Sequence, residues 1–195
     1  MTLKRICVYC GSNSGSHSDY ADAARELGTT LTHRGLGLVY GGGRVGLMGV
    51  IADSVLAAGG EVIGVIPEAL VKMEVAHGGL TDLRVVKSMH ERKALMVDLS
   101  DAFIAMPGGY GTLDEFCEVL TWAQLGIHQK PHGLLNVRGY YDSFLAFLDH
   151  SVAAGFIRPA HRELIHTSAN PIQLLDLLAN ARPLHTHKWL DRNET

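Results

Sequence analysis

The 195-residue sequence predicts a doubly wound α/β domain, a mostly parallel β-sheet with helices on both faces. Three observations support this. Short apolar runs alternate with helix-period segments along most of the chain. Several of those runs, residues 101–106 among them, are apolar almost throughout, as in strands covered on both faces. Three of the runs end in turns rich in glycine or serine, at the edge where such sheets bind ligands.

The first strand is expected at Arg5–Cys10, followed by the turn Cys10-Gly-Ser-Asn-Ser-Gly15 and a helix over Asp19–His33. Strand Leu36–Tyr40 leads through Gly41-Gly-Gly-Arg-Val-Gly46 into a helix over Gly46–Ala58. After strand Glu61–Ile66, the segment Lys72–Gly79 has no regular period and suits a lid. Strands at Leu83–Lys87 and Asp101–Met106 precede helices at His90–Ser100 and Thr112–Leu125. A strand at Gly133–Val137 leads to a helix over Tyr141–Ala154, with Phe144, Leu145, Phe147, Leu148 and Val152 on its packing side. The last strand is expected at Glu163–His166. Asn170 then caps, and Pro171 opens, a helix over Pro171–Ala181. With no repeat, linker or low-complexity stretch, residues 1–181 are expected to form a single nucleotide-binding domain and residues 182–195 a polar C-terminal tail.

Composition narrows the function. The net charge of −3 offers no electrostatic footprint for nucleic acid. No apolar run is long enough to span a membrane, the N-terminus lacks a signal-peptide layout, and three cysteines build no disulfide framework. A cytoplasmic protein with a small-molecule partner is expected.

The most informative segment is Pro107-Gly-Gly-Tyr-Gly-Thr-Leu-Asp-Glu115. Gly108, Gly109 and Gly111 let a ligand approach the backbone. The first N–H groups of the following helix, with the positive end of its dipole, suit a phosphate. Glu115 lies three residues after Thr112, on the same helix face. A carboxylate beside a phosphate cradle repels the anion, so its presence suggests chemistry rather than binding alone. In Met89-His-Glu-Arg-Lys93, Arg92 suits a phosphate clamp or the stabilisation of a negatively charged leaving group, and Lys93 adds charge. Gly11, Ser12, Gly42, Gly43 and Met89 are candidates for the nucleotide rim.

Other patterns are weaker. Gly41, Gly43 and Gly46 fit G-x-G-x-x-G, but the acid about twenty residues on, Glu61, begins its strand at the wrong end for a dinucleotide ribose. These glycines could instead serve only tight helix–sheet packing. Cys7 and Cys10 point to opposite faces of a strand, and no second cysteine pair exists for zinc. No metal site or cofactor is expected.

Three motifs together carry a family resemblance. P-G-G-x-G-T-x-x-E at 107–115, Tyr40-Gly-Gly-Gly43 with Gly46-Leu-Met-Gly49, and Met89-His-x-Arg-Lys93 resemble the signature of the Lonely Guy (LOG) family. The similarity runs from about Arg5 to Ser168. Members are cytokinin riboside 5′-monophosphate phosphoribohydrolases, many of them once labelled lysine decarboxylases. The resemblance implies a Rossmann-like fold and a homodimer with its site near the interface. It implies that Arg92 and Glu115 form the catalytic pair and that Gly108, Gly109, Gly111 and Thr112, with Tyr110 among them, make the phosphate-binding turn. It further implies that Glu74, Lys93 and Thr121 line the nucleotide. Asp114 stands where many members have Glu, at a variable position.

The expected reaction is hydrolysis of the N-glycosidic bond of an adenosine 5′-monophosphate, with or without an N6 substituent, giving free base and ribose 5-phosphate. One alternative is a non-catalytic nucleotide or cofactor carrier on the same fold. Another is a pyridoxal-phosphate decarboxylase, for which Lys93 is the nearest Schiff-base candidate, although its helix-start position reads better as a phosphate contact.

Overall fold

The computed structural model describes residues 2–72 and 76–182. Seven strands form one sheet: β1 (Arg5–Tyr9), β2 (Gly37–Tyr40), β3 (Val62–Pro67), β4 (Asp82–Val86), β5 (Ala102–Ala105), β6 (His132–Leu135) and β7 (Ile165–Ser168). Their order is β4-β3-β2-β1-β5-β6-β7, and every pairing between them is parallel. The helices are α1 (Ser18–His33), α2 (Gly46–Ala57), α3 (Glu68–Lys72), α4 (Met89–Asp98), α5 (Tyr110–Gln124), α6 (Asp142–Ala153), α7 (Pro159–Arg162) and α8 (Pro171–Ala179). Glu74 and residues 183–195, most of the expected tail, lie outside the described residues.

Side-chain alternation along the central strand builds two cores. Ile6 and Val8 face one cluster, closed by Leu27 and Leu31 of α1, Ile51 and Val55 of α2, and Leu174 and Leu178 of α8. Cys7 and Tyr9 face the other, closed by Met96 of α4, Phe116 and Val119 of α5, and Leu148 of α6. Cys10 joins the first cluster and Cys7 the second, so the C-x-x-C spacing serves packing.

This layering positions the site. β1 and β5 are neighbours, yet β1 runs on into α1 over one face and β5 into α5 over the other. Their connections therefore part at the carboxyl edge and leave a crevice. The base of the crevice is tied together: Gly11 N–H donates to the Pro107 carbonyl at 3.0 Å, and Met106 N–H to Tyr9 at 2.9 Å. Glu61 lies at the opposite edge, paired with Arg5 at 2.9 Å, so it takes no part in the crevice.

Several expected elements differ in detail. The fifteen-residue α5 starts at Tyr110 with Gly109 as its N-cap, two residues before the expected start. β6 ends at Leu135 because the chain turns through a 3-10 segment, Val137–Gly139, in which Arg138 has φ 55°. The short helices α3 and α7 were not expected, although Pro159 at the first position of α7 is a helix-start signal. Phe147 is 62% exposed and is not on the packing side of α6. At about 100° per residue it stands well away from the arc shared by Phe144, Leu145 and Leu148.

The second core holds a polar cost. His132 is fully buried beside its cross-strand neighbour Phe103, stacked at 5.3 Å, and His128 stacks on it at 5.4 Å. Neither His132 ring nitrogen has a hydrogen-bond partner among the described residues. Burial pushes its pKa down to about 3, and nearby His128 adds to the shift. The folded state thus refuses a proton that the unfolded state accepts below about pH 6.5. This group's contribution is complete above pH 6.5 and is lost as the pH falls toward 3, at up to about 1.4 kcal/mol per pH unit. Urea unfolding between pH 7 and 4 is therefore expected to show a steeper loss of stability in the native protein than in His132→Leu; equal slopes would contradict this.

Candidate active site

α4 and α5, which follow β4 and β5, supply the two central side chains. Ser88 caps α4 by accepting from Glu91 N–H at 3.1 Å, which fixes the helix start and delivers Arg92 inward from its first turn. Glu115 stands one and a half turns into α5, with Phe116 and Thr112 buried beside it. The Arg92 guanidinium meets the Glu115 carboxylate in a short hydrogen-bonded ion pair, and both residues are more than 90% buried. Arg92 Nε also donates to the Val65 carbonyl, in the second half of β3, at 3.0 Å.

Room for the guanidinium comes from Gly41, where a Cβ would lie 2.2 Å from Arg92 Nη2. The Tyr40–Gly43 motif thus serves the site indirectly. Gly42 and Gly43, expected at the nucleotide rim, are buried and are not among the residues that line the cavity beside Arg92 and Glu115. Gly42, at φ 74°, packs on Ile66, and Gly43 bridges to Ala76, so packing explains them.

The pair opens into a cavity of about 260 Å³, whose walls include Gly11, Ser12, Met89 and the turn from Gly109 to Thr112. The glycines of that turn divide in role. A Cβ at Gly108 would strike Thr112 Oγ1 at 2.1 Å and the Gly11 nitrogen at 2.9 Å, so Gly108 permits close packing. A Cβ at Gly109 or Gly111 would meet nothing within 4 Å, so these two leave open space before the helix N–H groups. Tyr110 is 94% exposed at the mouth. Cys10 and Met48 also line the cavity; Met48 lies within Gly46–Gly49, but neither residue type signals such a place.

Two expected residues stand apart. Lys93 pairs with Asp114 at 2.7 Å and Glu118 at 3.1 Å instead of facing the turn. Burial pulls its pKa down, but the two carboxylates outweigh burial and hold it above the usual lysine range. Thr121 is exposed, nine residues along α5 from Thr112, and its hydroxyl donates to the Cys117 carbonyl. It stands about 9 Å beyond Glu115 at 1.5 Å per residue and is not among the residues that line this cavity. Among the described residues, no group of three or more His, Cys, Asp or Glu side chains could hold a metal ion.

Comparison with known proteins gives the lineage. A family profile described as "Possible lysine decarboxylase" matches residues 48–178. Cytokinin riboside 5′-monophosphate phosphoribohydrolase LOG1 of Arabidopsis thaliana is 53% identical over 94% of this chain and 86% of its own length. The probable phosphoribohydrolase LOGL9 of Oryza sativa subsp. japonica is 55% identical over 93% of this chain and 80% of its own length. The chain belongs to the LOG family. Its fold also resembles the molybdenum cofactor carrier protein of Chlamydomonas reinhardtii, with a TM-score of 0.68 and 23% identity over 92% of this chain and 100% of that one. At that identity the likeness concerns the LOG fold alone.

Within this LOG-family site, burial pushes the Glu115 pKa above the usual carboxylate range, and the Arg92 ion pair opposes but does not cancel that shift. A carboxyl so held is suited to proton transfer nearer neutrality. In carbon-13 NMR of the protein labelled at glutamate, Glu115 is expected to titrate above the other glutamates, and Arg92→Ala is expected to raise it further. A Glu115 that titrates with the surface glutamates would refute this electrostatic picture.

Proposed function

We propose that this protein hydrolyses the N-glycosidic bond of N6-substituted adenosine 5′-monophosphates, releasing the free cytokinin-type base and ribose 5-phosphate. The observation that carries the reading is the buried Arg92–Glu115 pair opening into the same cavity as the helix start at Gly109–Thr112. One end of that cavity suits a phosphate dianion, and the other offers a carboxylate to a centre that becomes positive. The names of relatives at 53% and 55% identity support it.

In this reading the N–H groups at the start of α5 hold the 5′-phosphate, with the helix dipole behind them. The bond between C1′ and the base nitrogen breaks and its electron pair leaves with the base. The ribose acquires oxocarbenium character, as in other glycosyl cleavages. Glu115 stabilises that charge and takes a proton from the attacking water, whose oxygen adds to C1′. The proton ends on the departing base nitrogen, which balances the reaction. Arg92 is a poor acid, since guanidinium groups stay charged across the working pH range. Its role is to hold Glu115 and steady negative charge on the departing base.

We further infer a homodimer. Thr121, a position associated with the nucleotide by family resemblance, lies outside its own chain's cavity, which is consistent with service to a second copy. Residues 1–181 would act as one nucleotide-binding domain in this assembly. Pyridoxal-phosphate chemistry fits poorly, because Lys93, the nearest candidate for a Schiff base, is held protonated between two carboxylates.

Product analysis after incubation with isopentenyl-AMP and with AMP is the test. Free base and ribose 5-phosphate are expected from the native protein. Glu115→Gln should lower kcat by about 10²–10⁴ and Arg92→Ala by about 10²–10³, both with the fold intact. Near-native turnover in both variants, or tight nucleotide binding without product in the native protein, would overturn the assignment.

A further inference from the structure

The phosphate turn is braced by a backbone corner that follows β6. There the chain bends through Asn136–Gly139, and Arg138, at φ 55°, is the only non-glycine residue with positive φ among the described residues. Side chains disfavour that conformation, so it persists only where surrounding bonds impose it. Three bonds do so. Arg138 pairs with Asp19 at 2.7 Å, Asn136 Nδ2 donates to Asp142 at 2.7 Å, and Asn136 Oδ1 accepts from Tyr141 N–H at 2.7 Å. The bend sends two consecutive tyrosines over the end of β5. Tyr140 Oη donates to the Gly108 carbonyl and Tyr141 Oη to the Met106 carbonyl, each at 2.6 Å.

The consequence follows from peptide geometry. A trans peptide is planar, so its C=O and the N–H of the next residue point in opposite directions. Tyr140 lines a second cavity of about 250 Å³, next to Tyr20 and Leu47 on the α1–α2 side of the crevice. Gly109 borders both this cavity and that of Arg92 and Glu115, whereas Gly108 borders only this one; holding the Gly108 carbonyl on Tyr140 turns the Gly109 N–H away from Tyr140, toward the side that Gly109 shares with Arg92 and Glu115. Gly109 has no side chain and open space at its Cβ position, so the Gly108–Gly109 peptide is a unit that is easily rotated if its carbonyl is released. Met106 precedes Pro107, which has no N–H, so the Tyr141 bond anchors the turn and aims no donor.

We propose that Tyr140 is a positioning residue for phosphate recognition, acting through the Gly108–Gly109 peptide to hold the Gly109 N–H in the direction of the nucleotide phosphate. This rests on the reading of the turn as a phosphate site. The test compares Tyr140→Phe with Tyr20→Phe, which removes a hydroxyl from the same aromatic pair (rings 6.0 Å apart) and leaves the Gly108 bond in place. The readouts are ribose 5-phosphate binding by calorimetry, amide hydrogen exchange at residues 108–111, and KM and kcat for AMP.

For Tyr140→Phe, Kd for ribose 5-phosphate and KM for AMP are expected to rise about tenfold, the effect of one net hydrogen bond, while kcat stays within about twofold. Exchange should quicken at 108–111 alone, and Tyr20→Phe should behave as the native protein. An unchanged Kd, an equal effect in Tyr20→Phe, or exchange that quickens across the whole sheet would overturn the proposal. So would loss of the fold in Tyr140→Phe, since the variant loses only a hydroxyl from a 44% exposed residue. A native protein that binds ribose 5-phosphate but releases no base from AMP would defeat the hydrolase reading alone.

Discussion

The ion pair between Arg92 and Glu115 is the interaction around which the rest of the carboxyl edge is arranged. Taking two charges out of water costs several kcal/mol for each, and mutual attraction offsets this only where geometry and further hydrogen bonds are good. The fold meets those conditions with the Val65 carbonyl of β3, the space that Gly41 leaves for the guanidinium, and two separate helices that deliver the partners. Apolar residues of similar volume in place of a buried ion pair are often neutral or stabilising. The charges therefore point to chemistry, and the raised carboxyl pKa gives that chemistry a direction.

The second constraint is the parting of the chain between β1 and β5. It sets the Gly11 loop against the Pro107 turn and leaves the amide edge of α5 exposed to a ligand. A phosphate there is attracted by the helix start and repelled by Glu115. The arrangement works because the two act at different points: the helix dipole is concentrated in the first turn, and the carboxylate lies below it, screened by Arg92. In the proposed reaction, ground-state binding falls on the phosphate, and the carboxylate acts where positive charge develops in the transition state.

Much of this was legible in the sequence, for physical reasons. A strand buried on both faces must be apolar, so β1, β2, β3 and β5 announce themselves, and a helix opening in Gly-Gly-Tyr-Gly-Thr has few other uses than to leave its amides open. Arg92 and Glu115 were legible because they sit in motifs beside strand ends. What was hidden depends on tertiary contact. That Gly108 packs while Gly109 opens to a ligand, and that Gly41 yields space to Arg92, follows from neighbours distant in sequence. Lys93 had the position of a phosphate contact, but the charges of Asp114 and Glu118, brought in by another helix, claim it. The tyrosine brace was equally invisible, since Arg138 carries no sequence mark of a left-handed residue.

A crystal structure of Glu115→Gln with AMP bound tests the central claim most directly. The account predicts phosphate oxygens on the N–H groups between Gly109 and Thr112, with C1′ of the ribose against the side chain of residue 115 and beside Arg92. A phosphate bound elsewhere, or a C1′ out of reach of residue 115, would contradict it.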